Sequence, residues 1–308
     1  MNSELGPSNR HAVRCEIPNL STKPNLAPST LYLLIPLLAC AAGVPLAGAA
    51  QDSSLAGSEK QLIDWYYAAF FGTGVYRSGD RTVSVVQLPF SKALQPLAES
   101  RARVRLTLPI SVGFYDFHFD ELLGGRTPHS LSTVSVLPGV EVDMPVTHNR
   151  TLKPYGSVGK GWDTSGGGAA WIYAAGVKSR VSLPIGTGSE LSFGNQLTLS
   201  GYKPAETSYQ PLGLFVAGLN LSTPSSLRLS NRATSIDLHL IYYYYFNRLR
   251  FPASNNAQNK ISEQGEFGVS VKTHTPFSLK LFDIDRIGVA FRIGGGTQGV
   301  RLFLNLPY

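Results

Sequence analysis

The 308-residue chain has 43% hydrophobic and only 15% charged residues, with mean hydropathy at zero. That balance excludes a helical membrane protein, because only one segment is apolar enough for a helical span and it is short. The net charge of +7 is scattered. Without a Lys/Arg run it excludes nucleic acid as a partner, and it suits anionic lipid headgroups, anionic solutes in a lumen or plain solubility.

In chain order, residues 31–44 read as the apolar core of an export signal, and Ala47-Gly48-Ala49 as its cleavage site. Residues 1–49 are then a signal peptide, and the mature chain starts near Ala50 or Gln51. Arg10, Arg14 and Lys23 supply the upstream positive charge. The length of that region, with Glu4 and Glu16 in it, suggests a true start downstream of Met1. Both cysteines, Cys15 and Cys40, fall before or within the signal. The exported chain is then free of thiols, which suits passage through an oxidising compartment. A competing reading takes Leu37-Leu38-Ala39-Cys40 as a lipoprotein box, although Leu38 is bulky for its position.

Residues 50–71 read as a polar linker and a short helix. Ser58 with Gln61 three residues on makes a capping box, followed by Leu62, Ile63, Trp65, Tyr66, Tyr67, Phe70 and Phe71. Apolar residues lie on nearly every side. This favours a helix resting on the periplasmic leaflet over one plugging a wet lumen.

From residue 72 the pattern is strand throughout. Twelve segments read as strands, 72–78, 81–90, 103–117, 132–144, 151–162, 169–184, 190–202, 212–221, 232–247, 266–275, 286–293 and 299–308; most alternate with period two, whereas 151–162 is weaker and Gly-rich and 212–221 is apolar on both faces. In the ninth, Ile236, Leu238, Leu240, Tyr242, Tyr244 and Phe246 face one way, and Ser235, Asp237, His239, Tyr243 and Tyr245 the other. Most segments reach the roughly 9–11 residues that cross a bilayer core when tilted. The expected fold is all-β: a closed antiparallel transmembrane β-barrel of twelve strands over residues 72–308, preceded by the short N-terminal helix. An even count returns both ends to the periplasmic side. Aromatics then gather at two levels, with Phe114, Tyr115, Trp162, Trp171, Tyr173, Tyr202 and Tyr242 to Tyr245 outside and Phe90, Tyr155 and Tyr308 at the periplasmic side. Pro109 and Pro138 fall mid-strand and imply either bulges or segments that merge shorter pieces. The longest outer loops are residues 118–129 and 250–263.

The last segment is the most regular. Val300, Leu302, Leu304, Leu306 and Tyr308 share one face, with Arg301 and Asn305 on the other. A soluble edge strand avoids such a face. In an outer-membrane barrel it meets lipid, and the pattern resembles the C-terminal signal read by the barrel-assembly machinery. The competing reading is the last buried strand of a secreted soluble β-sandwich, a periplasmic binding protein.

Four stretches carry a family resemblance: Gly72-Thr73-Gly74-Val75-Tyr76, residues 106–117 (LTLPISVGFYDF), 136–141 (VLPGVE) and 286–292 (RIGVAFR). With them the chain resembles the solitary outer-membrane autotransporter-type β-barrels, which lack a long passenger. The resemblance spans residues 62–308. It implies a twelve-stranded barrel and no assigned substrate.

No constellation points to catalysis. Ser235, Asp237 and His239 share a strand face, but residues two apart are about 6.6 Å apart at about 3.3 Å per residue, too far for a triad. Gly166-Gly167-Gly168 and Gly294-Gly295-Gly296 lack the Lys-Ser/Thr of a phosphate loop, and six histidines without cysteine partners give no metal site. The expectation is a non-enzyme without cofactor or metal.

The inward rows place Arg105, Glu141, Asp143, Lys178, Arg180, Asp237, His239, Glu266, Lys272, Arg292 and Arg301 in the lumen. These charges either set the selectivity of a small pore or cross-link a closed interior. Expected partners are outer-membrane lipid and lipopolysaccharide, the barrel-assembly machinery and periplasmic chaperones. The expected location is the bacterial outer membrane, and the expected role is a small pore, translocator-like or structural surface protein. A barrel enzyme acting on lipid or lipopolysaccharide is the alternative.

Overall fold

Among the described residues the chain meanders from each strand position to the next around the sheet, and the last strand returns to the first. The computed structural model describes residues 71–308, except 79–80, 95–101, 116–130, 165–167, 205–209, 253–257 and 280–281. Its strands are β1 (Gly74–Ser78), β2 (Arg81–Ala93), β3 (Arg103–Tyr115), β4 (Leu131–Val136), β5 (Gly139–Pro145), β6 (Arg150–Asp163), β7 (Gly168–Ile185), β8 (Ser189–Pro204), β9 (Gln210–Leu229), β10 (Arg232–Pro252), β11 (Gln258–Leu279), β12 (Phe282–Gly294) and β13 (Thr297–Phe303). All pairings are antiparallel. β4 and β5 are two halves of one strand between β3 and β6, and β13 pairs with β1. The result is a closed barrel of twelve strands, with no open edge among the described strands. A two-layered sandwich, the alternative from sequence, is thereby overturned.

The tight turns follow from local chemistry. Ser230 and Asn231, with φ of 48° and 66°, join β9 to β10, and Gly295 and Gly296, with φ of 58° and 72°, join β12 to β13. Two left-handed residues in a row match the twist of the strands they connect.

Alternation along each strand becomes an inside and an outside. One hydrogen-bonded row runs Phe193, Leu219, Leu240, Phe267, Phe291, Val300 across β8 to β13, and every one of these side chains is exposed. Leu221, Leu238, Val269, Val289 and Leu302 form a second exposed row beside it. Trp162, Trp171, Tyr242, Tyr244 and Phe246 also stand outward. Contiguous apolar surface on this scale exceeds what soluble monomers leave open, which is a few hundred Å².

Several expectations from sequence are corrected. Pro109 makes no bulge, since it lies opposite Pro89 in an unbroken register. At Pro138 the merged-segment reading holds and the bulge does not: the expected strand is two shorter pieces, β4 and β5, with no residue inserted between them. The register steps from Val136 to Gly139 as β3 steps from Ile110 to Thr107 and β6 from Lys160 to Ser157. The interruption is a loss of donors. Leu137 N donates to the Pro109 carbonyl at 3.1 Å and Val158 N to the Pro138 carbonyl at 3.1 Å. The return bond of each pair would need an N–H that proline lacks. β10 and β11 run on past their expected ends, which shortens the loop of residues 250–263 to 253–257. β13 stops at Phe303, and residues 304–308 leave the sheet. Tyr155 and Tyr308, expected at the periplasmic interface, instead point inward. The helix reading over residues 58–70, the signal peptide, the loop of residues 118–129 and the Gly79-Asp80 turn lie outside the described residues.

Gly159 faces the interruption from β6. A Cβ there would lie 1.9 Å from the Val136 carbonyl oxygen. Replacing Gly159 with Ala is expected to destabilise the barrel by about 1–3 kcal/mol through overpacking, read as a lowered denaturation midpoint in detergent or lipid.

Candidate functional site: an ion-paired lumen

The inner faces of the strands gather the polar residues that the outer faces exclude, and these pair across the lumen wall. The centre of the largest group is Glu266 on β11, whose side chain is 0% exposed. Arg292 on β12 donates to it from Nε at 2.8 Å, and Arg292 Nη2 lies 2.7 Å from Oε2. Arg301 on β13 donates to Oε1 at 3.0 Å, and the Tyr243 hydroxyl to Oε2 at 3.1 Å. His239 Nε2 lies 3.3 Å from Oε1. The Arg292 guanidinium also stacks 4.0 Å from the Tyr243 ring centroid. A carboxylate buried this deeply stays ionised only where its charge is matched and its lone pairs are filled. Three strands, β10, β12 and β13, contribute its partners.

A second group lines β3, β5, β6 and β7. Asp143 lies 3.0 Å from Lys153 and 3.4 Å from Arg105, while Lys178 donates to Glu141 at 2.6 Å. Beside them Gln196 donates to the Tyr155 hydroxyl at 2.8 Å, and Tyr155 shares a 2.6 Å bond with Thr198. On β7 and β8, Arg180 donates to both Glu190 and Ser192 at 2.8 Å. On β10 and β12, Arg286 Nη2 sits 2.7 Å from Asp237.

The structure therefore brings most of the expected lumen charges into partnered groups. Lys272 has no ion pair among the described residues. The expected Ser235, Asp237 and His239 row does face the lumen, but Asp237 is engaged by Arg286 and His239 by Glu266. Among the described residues no group of His, Cys, Asp or Glu could hold a metal ion. Sequence reasoning missed Lys153, Tyr155, Glu190 and Arg286. Parity would have found two of them: Glu190 shares the inward phase of Gln196, and Arg286 that of Arg292. The Gly-rich β6 offered too little alternation to set a phase for Lys153 and Tyr155.

The lumen also has an apolar interior. Tyr76, Val83 and Val85 on β1 and β2 belong to one buried cluster with Leu212, Leu214, Val216, Ile241, Tyr243, Tyr245 and Ile261 on β9 to β11. Phe71 and Tyr308, from the two ends of the described chain, join it. The Tyr76 hydroxyl donates to the Phe71 carbonyl at 2.6 Å. Gly72, with φ of 76°, makes the turn that brings the chain out of the lumen into β1. Of the five residues in the expected C-terminal stripe, Val300 and Leu302 face outward. Leu304 follows the end of β13, Leu306 packs on the interior cluster, and Tyr308 is buried within it.

No family model matches this chain, and no curated protein matches it. Among solved structures it is similar to the β domain of the Bordetella autotransporter BrkA, at 10% identity over 74% of this chain and 95% of that one, with a TM-score of 0.45.

Proposed function

We propose that this is an outer-membrane β-barrel protein, autotransporter-like, whose resting lumen is closed. The observation that carries the reading is the pair of contiguous exposed apolar rows on the outside of a closed barrel, backed by buried ion pairs on the inside. Hydrocarbon satisfies such an exterior, and a closed barrel leaves no backbone group unpaired within it. The paired interior favours a structural surface protein or a gated pore over a wide, permanently open one, because charges already matched to each other have little left for a passing ion. The same pairing argues against an enzyme, since Asp237 and His239 have other partners. In this reading an N-terminal signal peptide exports the chain, periplasmic chaperones and the barrel-assembly machinery insert it, and lipid and lipopolysaccharide surround it.

Fractionation tests the proposal. The protein is expected to stay with outer membranes through carbonate extraction, and to migrate differently on gels before and after heating. Recovery in the aqueous phase without detergent would end this reading. In planar bilayers the steady conductance is expected to be small. A large, constant conductance would replace the closed lumen with an open pore.

A further inference from the structure

We propose that residues 304–308 form an internal latch, which seats the Tyr308 ring on Gly194 and Gly218 across the lumen and holds the barrel closed. This rests on the membrane-barrel reading above. The chain leaves β13 after Phe303 and turns inward. Leu306 packs on the interior cluster and Tyr308, only 7% exposed, lies within it. Gly194 on β8 and Gly218 on β9 are opposite each other in the ladder. A Cβ on Gly194 would fall 1.7 Å from Tyr308 Cδ2, and one on Gly218 would fall 2.5 Å from Cε1. Both absent side chains are inward ones, so the two glycines clear a flat seat the size of one aromatic ring.

β8 and β9 are far from β13 around the barrel, with β10, β11 and β12 between them on the shorter side. The tail therefore ties the seam strand to a distant wall through the interior. Tyr308 adds apolar area there, but its hydroxyl is buried without a hydrogen-bond partner among the described residues. Burying a hydroxyl unpaired carries a cost. That cost makes the seated state easier to leave than a fully satisfied one, which is what a latch requires and a core residue does not.

The test uses the full chain carrying Cys15→Ser and Cys40→Ser. The Gly194 Cβ position lies 2.2 Å from Tyr308 Cγ. The two Cβ atoms are then within about 4 Å, the range a disulfide spans. Gly194→Cys with Tyr308→Cys is expected to cross-link on oxidation in the folded, heat-modifiable protein. Thr107→Cys on β3 with Tyr308→Cys is expected not to. In planar bilayers the cross-linked form should not conduct, while Tyr308→Ala should raise open probability about tenfold or more over the parent chain. Gly194→Val should lower the denaturation midpoint, and adding Tyr308→Ala should recover part of that loss, because the clash leaves with the ring. Folded protein that fails to cross-link, or cross-links equally to Thr107→Cys, overturns the seat. Folded Tyr308→Ala that conducts no more than the parent overturns the closure. Loss of heat-modifiable migration in the parent chain would instead overturn the barrel reading itself.

Discussion

Glu266→Gln is expected to destabilise the barrel by about 3–5 kcal/mol, more than any other single change to an inward residue. Glutamine keeps the volume and two polar atoms, so packing is nearly preserved and charge is what changes. Arg292, buried, and Arg301, nearly so, then face each other without the carboxylate between them. Leaving charges uncompensated in the interior costs far more than an exposed ion pair contributes, which is about 0–1 kcal/mol. The measurement is urea unfolding in lipid vesicles, followed by the gel shift between folded and unfolded forms. Asp143→Asn gives the comparison. Asp143 and its partner Lys153 are both partly exposed, so solvent screens the loss and the midpoint should move much less. Equal shifts for the two variants would mean that the Glu266 group is wet, and the account of a sealed lumen would fail.

Phe267→Arg separates lipid from water on the other face. Phe267 is 59% exposed, midway along an apolar row between Leu240 and Phe291. In a bilayer an outward arginine near the midplane costs about 2–4 kcal/mol, falling to about 0–1 near the interfaces. On a water-facing surface the same change stays within about 0.5 kcal/mol. Ile185→Arg supplies the interface control, because Ile185 is also exposed but ends β7 at a turn. A large loss at Phe267 with a small one at Ile185 is the expected result. Near-neutral effects at both sites would mean that water, not acyl chain, covers the belt.

Most of the architecture was legible in the sequence because barrel strands carry their signal residue by residue. An outward position meets one solvent and an inward position another, so Ile236 to Phe246 and Arg105 to Asp143 sorted themselves by parity alone. Strand ends were less legible. β10 continues to Pro252 and β11 starts at Gln258 because cross-strand pairing extends ladders beyond the apolar stretch that announces them. The tail was misread for a different reason. Val300, Leu302, Leu304, Leu306 and Tyr308 keep period two, and periodicity cannot tell an acyl chain from a lumen lined with apolar residues. The deciding features were Gly194 and Gly218, ninety or more residues away in sequence, whose meaning appears only when the strands are paired. The pairing inside the lumen was equally hidden. Parity assigns Glu266 to the interior, but only the register with Arg292 and the seam with Arg301 identify its partners.

The closing seam has a kinetic consequence. β1 meets β13 through five residue pairs, Gly74 to Ser78, whereas β7 and β8 are joined by sixteen. Its partners also stand at opposite ends of the described chain, so bringing them together carries the greatest loop-closure entropy of any ladder in the molecule. Hairpins can zip up locally from the tight turns, but the ring completes only when this short, long-range ladder forms last. Unfolding then starts by unzipping at the same place.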